Sequence, residues 1–147
     1  MWLKDDLARH PSHCTLAYWH APLYSSGGHA PGTHMRTAWR LPRQAGAELV
    51  RSGHGHDHER FAPQDADGRL DAERGLRQFV VGTGGAYLTP MLWPRPPSEV
   101  RDNAQTGVPR PAPRGDGYDW RFPAAADPAP RDFPAQQTQD SGSARCH

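Results

Sequence analysis

The sequence predicts an α/β fold, and three observations carry that prediction. A β-branched and aromatic run, Thr15–Trp19, is followed by helical spacing over Thr33–Ala45 and by a second apolar run over Glu48–Ser52. Strand, helix and strand in that order give a parallel pair with the helix packed across it. A further apolar strand is expected over Gln78–Val81, and Gly117–Phe122 alternates with Tyr118, Trp120 and Phe122 on one face. Proline sets the limits of this order, because eleven of the 16 prolines lie at or beyond Pro90. Residues 1–122 therefore read as one domain portion, best ordered over about 1–90, and 123–147 as an irregular Pro/Ala/Gln tail.

Taken in order, the chain opens with Trp2, Leu3 and Leu7 at helical spacing among charges, the last turns of an amphipathic helix stopped by Pro11 and expected to begin before residue 1. Thr15–Trp19 is short and nearly free of polar groups, as suits a strand buried on both faces. Thr33 can cap the next helix and Gly46 can stop it. Pro42 interrupts that helix near its end and removes a backbone donor. Asp65–Gly75 is a charged, Gly-punctuated loop that lacks the Glu at position 12 and the flanking helices of an EF-hand. Gly82-Thr83-Gly84-Gly85 lacks the Lys-Ser/Thr of a P-loop and reads as a tight turn. Val108–Pro113 places proline at alternate positions, which no central strand accepts.

Composition narrows the function classes. Only 35% of the 147 residues are hydrophobic, so the core is small. Seventeen basic and 16 acidic residues are interspersed, with no basic stripe, so no nucleic-acid partner is expected. No apolar run approaches the roughly 20 residues that span a bilayer, and the acidic Met1–Leu7 lacks the features of a signal peptide. Cys14 and Cys146 read either as unrelated thiols or as a pair. A pair would close a loop worth a nominal ~4–5 kcal/mol and would imply an oxidising compartment.

The chemistry-bearing residues are histidines at strand ends. Leu49 and Val50 lead into Gly53, and His54 and His56 follow at positions i and i+2, a spacing that turns both rings to one side of an extended segment. Neutral imidazole is a common ligand for zinc, iron and similar ions. His20 comes directly after the first strand, and parallel strands end on the same edge, so His20 is expected to converge with His54 and His56 within about 4 Å of one point. His29 closes the Gly-rich loop that His20 opens.

The ordered segments Tyr18-Trp19-His20-x-Pro22-Leu23-Tyr24-Ser25-Ser26-Gly27-Gly28-His29, Ser52-Gly53-His54-x-His56-Asp57-x-Glu59-Arg60-Phe61 and Phe79-Val80-Val81-Gly82-Thr83-Gly84-Gly85 resemble the C-terminal half of a calcineurin-like metallophosphoesterase. The likeness is nearest to bacterial secreted enzymes similar to purple acid phosphatases, and the closing Asp140-Ser141-Gly142-Ser143-x-x-Cys146-His147 resembles the ends of such proteins. The resemblance implies part of an αββα sandwich and a phosphate ester substrate hydrolysed by a metal-bound hydroxide between two cations, drawn from iron, zinc or manganese. It implies that His20 and His54 hold one metal and His56 the other, and that His29 contacts the substrate or protonates the leaving group. It places Glu59 and Arg60 behind the ligands as supporting residues. It also implies an extracellular or periplasmic enzyme. The family's remaining ligands come from an N-terminal half with Asp-x-His, Gly-Asp-x-x-Tyr and Gly-Asn-His motifs, which this sequence does not contain. His58 stands where the family usually has tyrosine, and Ala21 where these bacterial members often have a second histidine.

Two readings follow. The first is the C-terminal part of a dinuclear phosphoesterase, inactive alone, binding at most one ion weakly and needing its N-terminal half as partner. The second is a non-catalytic metal-binding or interaction remnant of such a domain.

Overall fold

A computed structural model describes residues 2–128, 133–135 and 137–147. Its main sheet has five strands: β1 (Leu16–Trp19), β2 (Leu49–Ser52), β3 (His58–Phe61), β4 (Arg77–Val81) and β5 (Ser98–Asp102), in the order β1-β2-β4-β3-β5. β1, β2 and β4 run parallel, while β3 runs antiparallel to β4 and β5. α1 (Trp2–Arg9) precedes the sheet, and α2 (Arg36–Gln44) makes the crossover from β1 to β2. The βαβ unit read from the sequence is thus present.

Adjacent residues of a strand point to opposite faces, and the sheet uses both. Val50 packs on the helix side with Leu23, Trp39, Ala47, Ala66 and Leu76. Its neighbour Leu49 packs on the other side with Phe79, Tyr118 and Trp120. The second group includes a three-stranded antiparallel sheet of β7 (Arg110–Pro113), β8 (Gly117–Arg121) and β10 (Ser141–Arg145), in the order β10-β8-β7. β6 (Gln105–Gly107) and β9 (Ala124–Pro128) pair separately.

Several expectations change. β1 is an edge strand with Leu16 and Tyr18 exposed, where burial on both faces was expected; it pairs with β2 alone, and only Ala17 and Trp19 reach the core. α2 starts from a 3-10 turn, Thr33–Met35, with no side-chain cap, so Thr33 does not cap it. Pro42 is kept inside the helix, two residues before its last one, and Gly46 ends the helix with φ +77°. β7 accommodates Pro111 and Pro113 because it lies at the edge of its sheet, where missing donors break no ladder.

The expected irregular tail, 123–147, contains β9 and β10 instead; its residues 129–132 and 136 lie outside the described ones. Small polar residues form β10 because Gly142 leaves room for the Trp120 ring, which a side-chain carbon there would meet at 2.3 Å. The chain end is fastened too. Cys14 and Cys146 form a disulfide with Cα atoms 5.6 Å apart, and the His147 amide donates to Glu48 at 2.9 Å.

Candidate metal centre

Parallel pairing brings the histidines to one edge. β1 ends at Trp19 and β2 at Ser52, directly opposite each other in register. The Gly53 amide then donates to the His20 carbonyl at 3.0 Å, so the two chains stay together one residue beyond the ladder. His54 adopts φ 63°, a left-handed conformation that non-glycine residues rarely hold. That turn redirects the chain between β2 and β3. It is packed against the end of β4, where a side-chain carbon on Gly82 would meet the Gly55 carbonyl oxygen at 1.7 Å.

The four imidazoles form a row. Ring centroids of His20 and His54 are 5.2 Å apart, those of His54 and His29 5.3 Å, and those of His29 and His56 4.5 Å. The structure therefore brings His20, His29, His54 and His56 together. Two rings have fixed tautomers. His29 Nδ1 donates to the His54 carbonyl at 2.6 Å, and His56 Nδ1 donates to the Tyr87 carbonyl at 2.9 Å. A carbonyl only accepts, so each Nδ1 keeps its proton and each neutral ring presents an Nε2 lone pair, the arrangement common in metal-ligating histidines. Burial, and then the charges of His20, His29 and His56, lower the His54 pKa and favour its neutral, ligating form.

A row is not a shell. Among the described residues, no three His, Cys, Asp or Glu side chains are placed to hold one metal ion. The expected convergence of His20, His54 and His56 on a single point is thus not seen. Two of the four rings are tied by Nδ1 to separate carbonyls, which holds them in place along the row.

The residues behind the row hold the loop between His20 and His29. Glu59, fully buried on β3, accepts from the Ser26 amide at 2.8 Å, the Ser26 hydroxyl at 2.5 Å and the Ser98 hydroxyl at 2.5 Å. Arg95 adds bonds from its amide to Ser26 Oγ at 3.0 Å and from Nε to the Ser25 carbonyl at 2.9 Å. Arg60 lies farther away: it donates to Asp140 at 2.9 Å, pairs with Glu99 and sits over the Trp120 ring.

Two neighbours of the row had little signal in the sequence. Asp57 is fully buried beneath Gly27, where a side-chain carbon would meet its Oδ2 at 2.0 Å. Neither of its carboxyl oxygens has a hydrogen-bond partner of good geometry. Burial, reinforced by the charge of Glu59 and opposed by the Thr89 hydroxyl, raises its pKa to about 7. Tyr87 follows β4, whose parallel course ends at the same sheet edge; the strand-end rule that singled out His20 would have singled out this segment too.

No family model matches the sequence, and none of the curated proteins matches it. Solved structures do. Purple acid phosphatase PPD1 from yellow lupin (Lupinus luteus) seeds superposes with a TM-score of 0.74 at 19% identity, over 97% of this chain and 27% of that one. GAP50, described as the anchor in the inner membrane complex of Plasmodium, superposes with a TM-score of 0.63 at 16% identity, over 84% of this chain and 36% of that one. The chain thus spans about a quarter to a third of the length of these neighbours. At such identities the likeness shows the fold alone, which is that of a partial metallophosphoesterase-like domain.

Proposed function

We propose that this chain is the C-terminal portion of a metal-dependent phosphoesterase that hydrolyses phosphate monoesters. The observation that carries the reading is the histidine row at the carboxyl edge of the parallel strands, with Nδ1 of His29 and of His56 committed to carbonyls. In this reading His20, His54 and His56 supply imidazole donors to the metal ions, iron, zinc or manganese, and His29 faces the ester oxygen that leaves. The ions would supply an acidified water and bind the phosphoryl oxygens. The fit is partial. The row contains no carboxylate to offset two adjacent cations, so a dinuclear site needs anionic ligands from a further segment, and this chain alone would hold at most one ion weakly.

The β1 edge supports such a complement. It is open, with Tyr18 81% exposed, and beside it lies a cavity of about 380 Å³ lined by Tyr18, His20 and Arg51. Burial lowers the Arg51 pKa, but the guanidinium keeps its charge, and an acidic partner segment would pair with it. The disulfide between Cys14 and Cys146 supports an extracellular or periplasmic location, because such bonds persist in oxidising compartments.

A second reading is a non-catalytic metal-binding or interaction module, which the β1 sheet edge with its exposed Tyr18 favours, since a partner could cover it. The two are separated by fusing a segment with the Asp-x-His, Gly-Asp-x-x-Tyr and Gly-Asn-His motifs ahead of Trp2 and assaying p-nitrophenyl phosphate with each metal. Metal-dependent turnover abolished by His54→Ala is expected. Bound metal in a folded fusion that shows no turnover would move the assignment to the second reading.

A further inference from the structure

Tyr87 stands beside the histidine row with its side chain turned to solvent. Its ring centroid lies 4.9 Å from that of His56 and 6.4 Å from that of His29, edge-on in both cases, yet the residue is 69% exposed. A single exposed aromatic would be unexceptional, but this one has company. Leu92 and Trp93, in the segment between β4 and β5, are also exposed, and their amides donate to the Ser26 carbonyl at 2.9 and 3.2 Å, three residues before His29.

This segment is anchored by backbone groups: the Tyr87 carbonyl accepts from His56, and the Leu92 and Trp93 amides hold Ser26. Its Tyr87, Leu92 and Trp93 side chains are exposed, while Leu88 between them is buried. The fold therefore leaves the Tyr87 ring at the end of the row without using most of its surface for packing.

We propose that Tyr87 forms the subsite for the leaving group, and that the preferred esters carry a flat aromatic ring on the ester oxygen. The inference rests on the phosphoesterase reading and names its substrate class. With the phosphoryl group at His29 and His56, a ring bonded directly to the ester oxygen lies within the 4.5–7 Å centroid separation over which aromatic pairs attract, and such a pair improves affinity by about three- to tenfold. A short alkyl group has no ring to stack and gains little.

The test is a pair of NMR titrations of the chain with phenyl phosphate and methyl phosphate, following the histidine ring signals. The expected result is tighter binding of phenyl phosphate by about three- to tenfold. Tyr87→Ala, which retains the carbonyl that holds His56, should bring the ratio to about one, and Tyr87→Phe should preserve it. A residue that merely braces His56 would weaken both esters alike and leave the ratio unchanged. Equal affinities in the unmodified chain, a ratio that survives Tyr87→Ala, or no binding of either ester would overturn the proposal. Hydrolysis by the fused protein reports separately on the phosphoesterase reading: an aryl preference in binding without turnover would leave the subsite standing while that reading fell.

Discussion

Replacing Glu59 tests how the fold supports the histidine row. Its carboxylate accepts three hydrogen bonds in a fully buried setting, two from Ser26 and one from Ser98. Hydrogen bonds to a charged group contribute about 1.5–3 kcal/mol each, and a buried donor left unsatisfied costs about 1–3 kcal/mol. In Glu59→Ala the two hydroxyls can rotate to other partners, but the Ser26 amide cannot. The expected loss is about 3–5 kcal/mol, less than the gross sum because the loop relaxes. Glu59→Gln behaves differently. Its Oε1 can still accept from the Ser26 amide while Nε2 donates to a hydroxyl, so only the charge assistance and one donor conflict are lost, about 1–2 kcal/mol. The assay is urea unfolding followed by the fluorescence of buried Trp39 and Trp120. With a slope of about 2 kcal/mol per molar urea, Ala should lower the midpoint by about 2 M and Gln by less than about 1 M. An Ala variant within about 1 kcal/mol of the unmodified protein, or a Gln variant as damaged as Ala, would refute the clamp.

Two further outcomes are expected. Replacing both Cys14 and Cys146 by serine frees a loop with a sequence separation of 132 and should cost about 5 kcal/mol, read as a lowered urea midpoint; a loss under about 1 kcal/mol would show that Glu48–His147 and the β10–β8 pairing hold the end without it. Asp140 should govern part of the acid sensitivity. Burial acts to raise its pKa, but hydrogen bonds from His58, Trp120 and Arg60, together with the Arg60 charge, outweigh this and hold it below the ordinary carboxylate value. A depressed folded pKa contributes stability that is complete above the unfolded value of about 3.9 and is lost as pH falls through the lower folded value. The stability difference between the unmodified chain and Asp140→Asn should therefore be constant near neutrality and shrink below about pH 4; a difference that grew on acidification would contradict the sign.

The parallel βαβ unit was legible because its information is local. Thr15–Trp19, Thr33–Ala45 and Glu48–Ser52 each show their own period, and the rule for parallel strands then puts His20 beside His54. Tyr118, Trp120 and Phe122 were legible for the same reason: a period of two survives in a short segment, and all three are buried. β3 was not, since His58-Glu59-Arg60-Phe61 reads as polar. Only the tertiary structure supplies what makes it an inner strand, with Asp140 for His58 and Arg60, and Ser26 and Ser98 for Glu59. β10 was equally silent, because Ser141–Arg145 has no apolar pattern and is held by backbone pairing to β8 and by the disulfide that follows.

The candidate site divides along the same line. Residue type and strand-end position singled out His20, His54 and His56, and the family resemblance added His29. The distances that make these four a row, and the presence of Tyr87 beside it, depend on the turn at His54 and on carbonyls 25 and 31 residues away in sequence. Local periodicity fixes which elements form and which edge they end on; the orientation of each ring is set by contacts distant in sequence, which only the folded chain brings together.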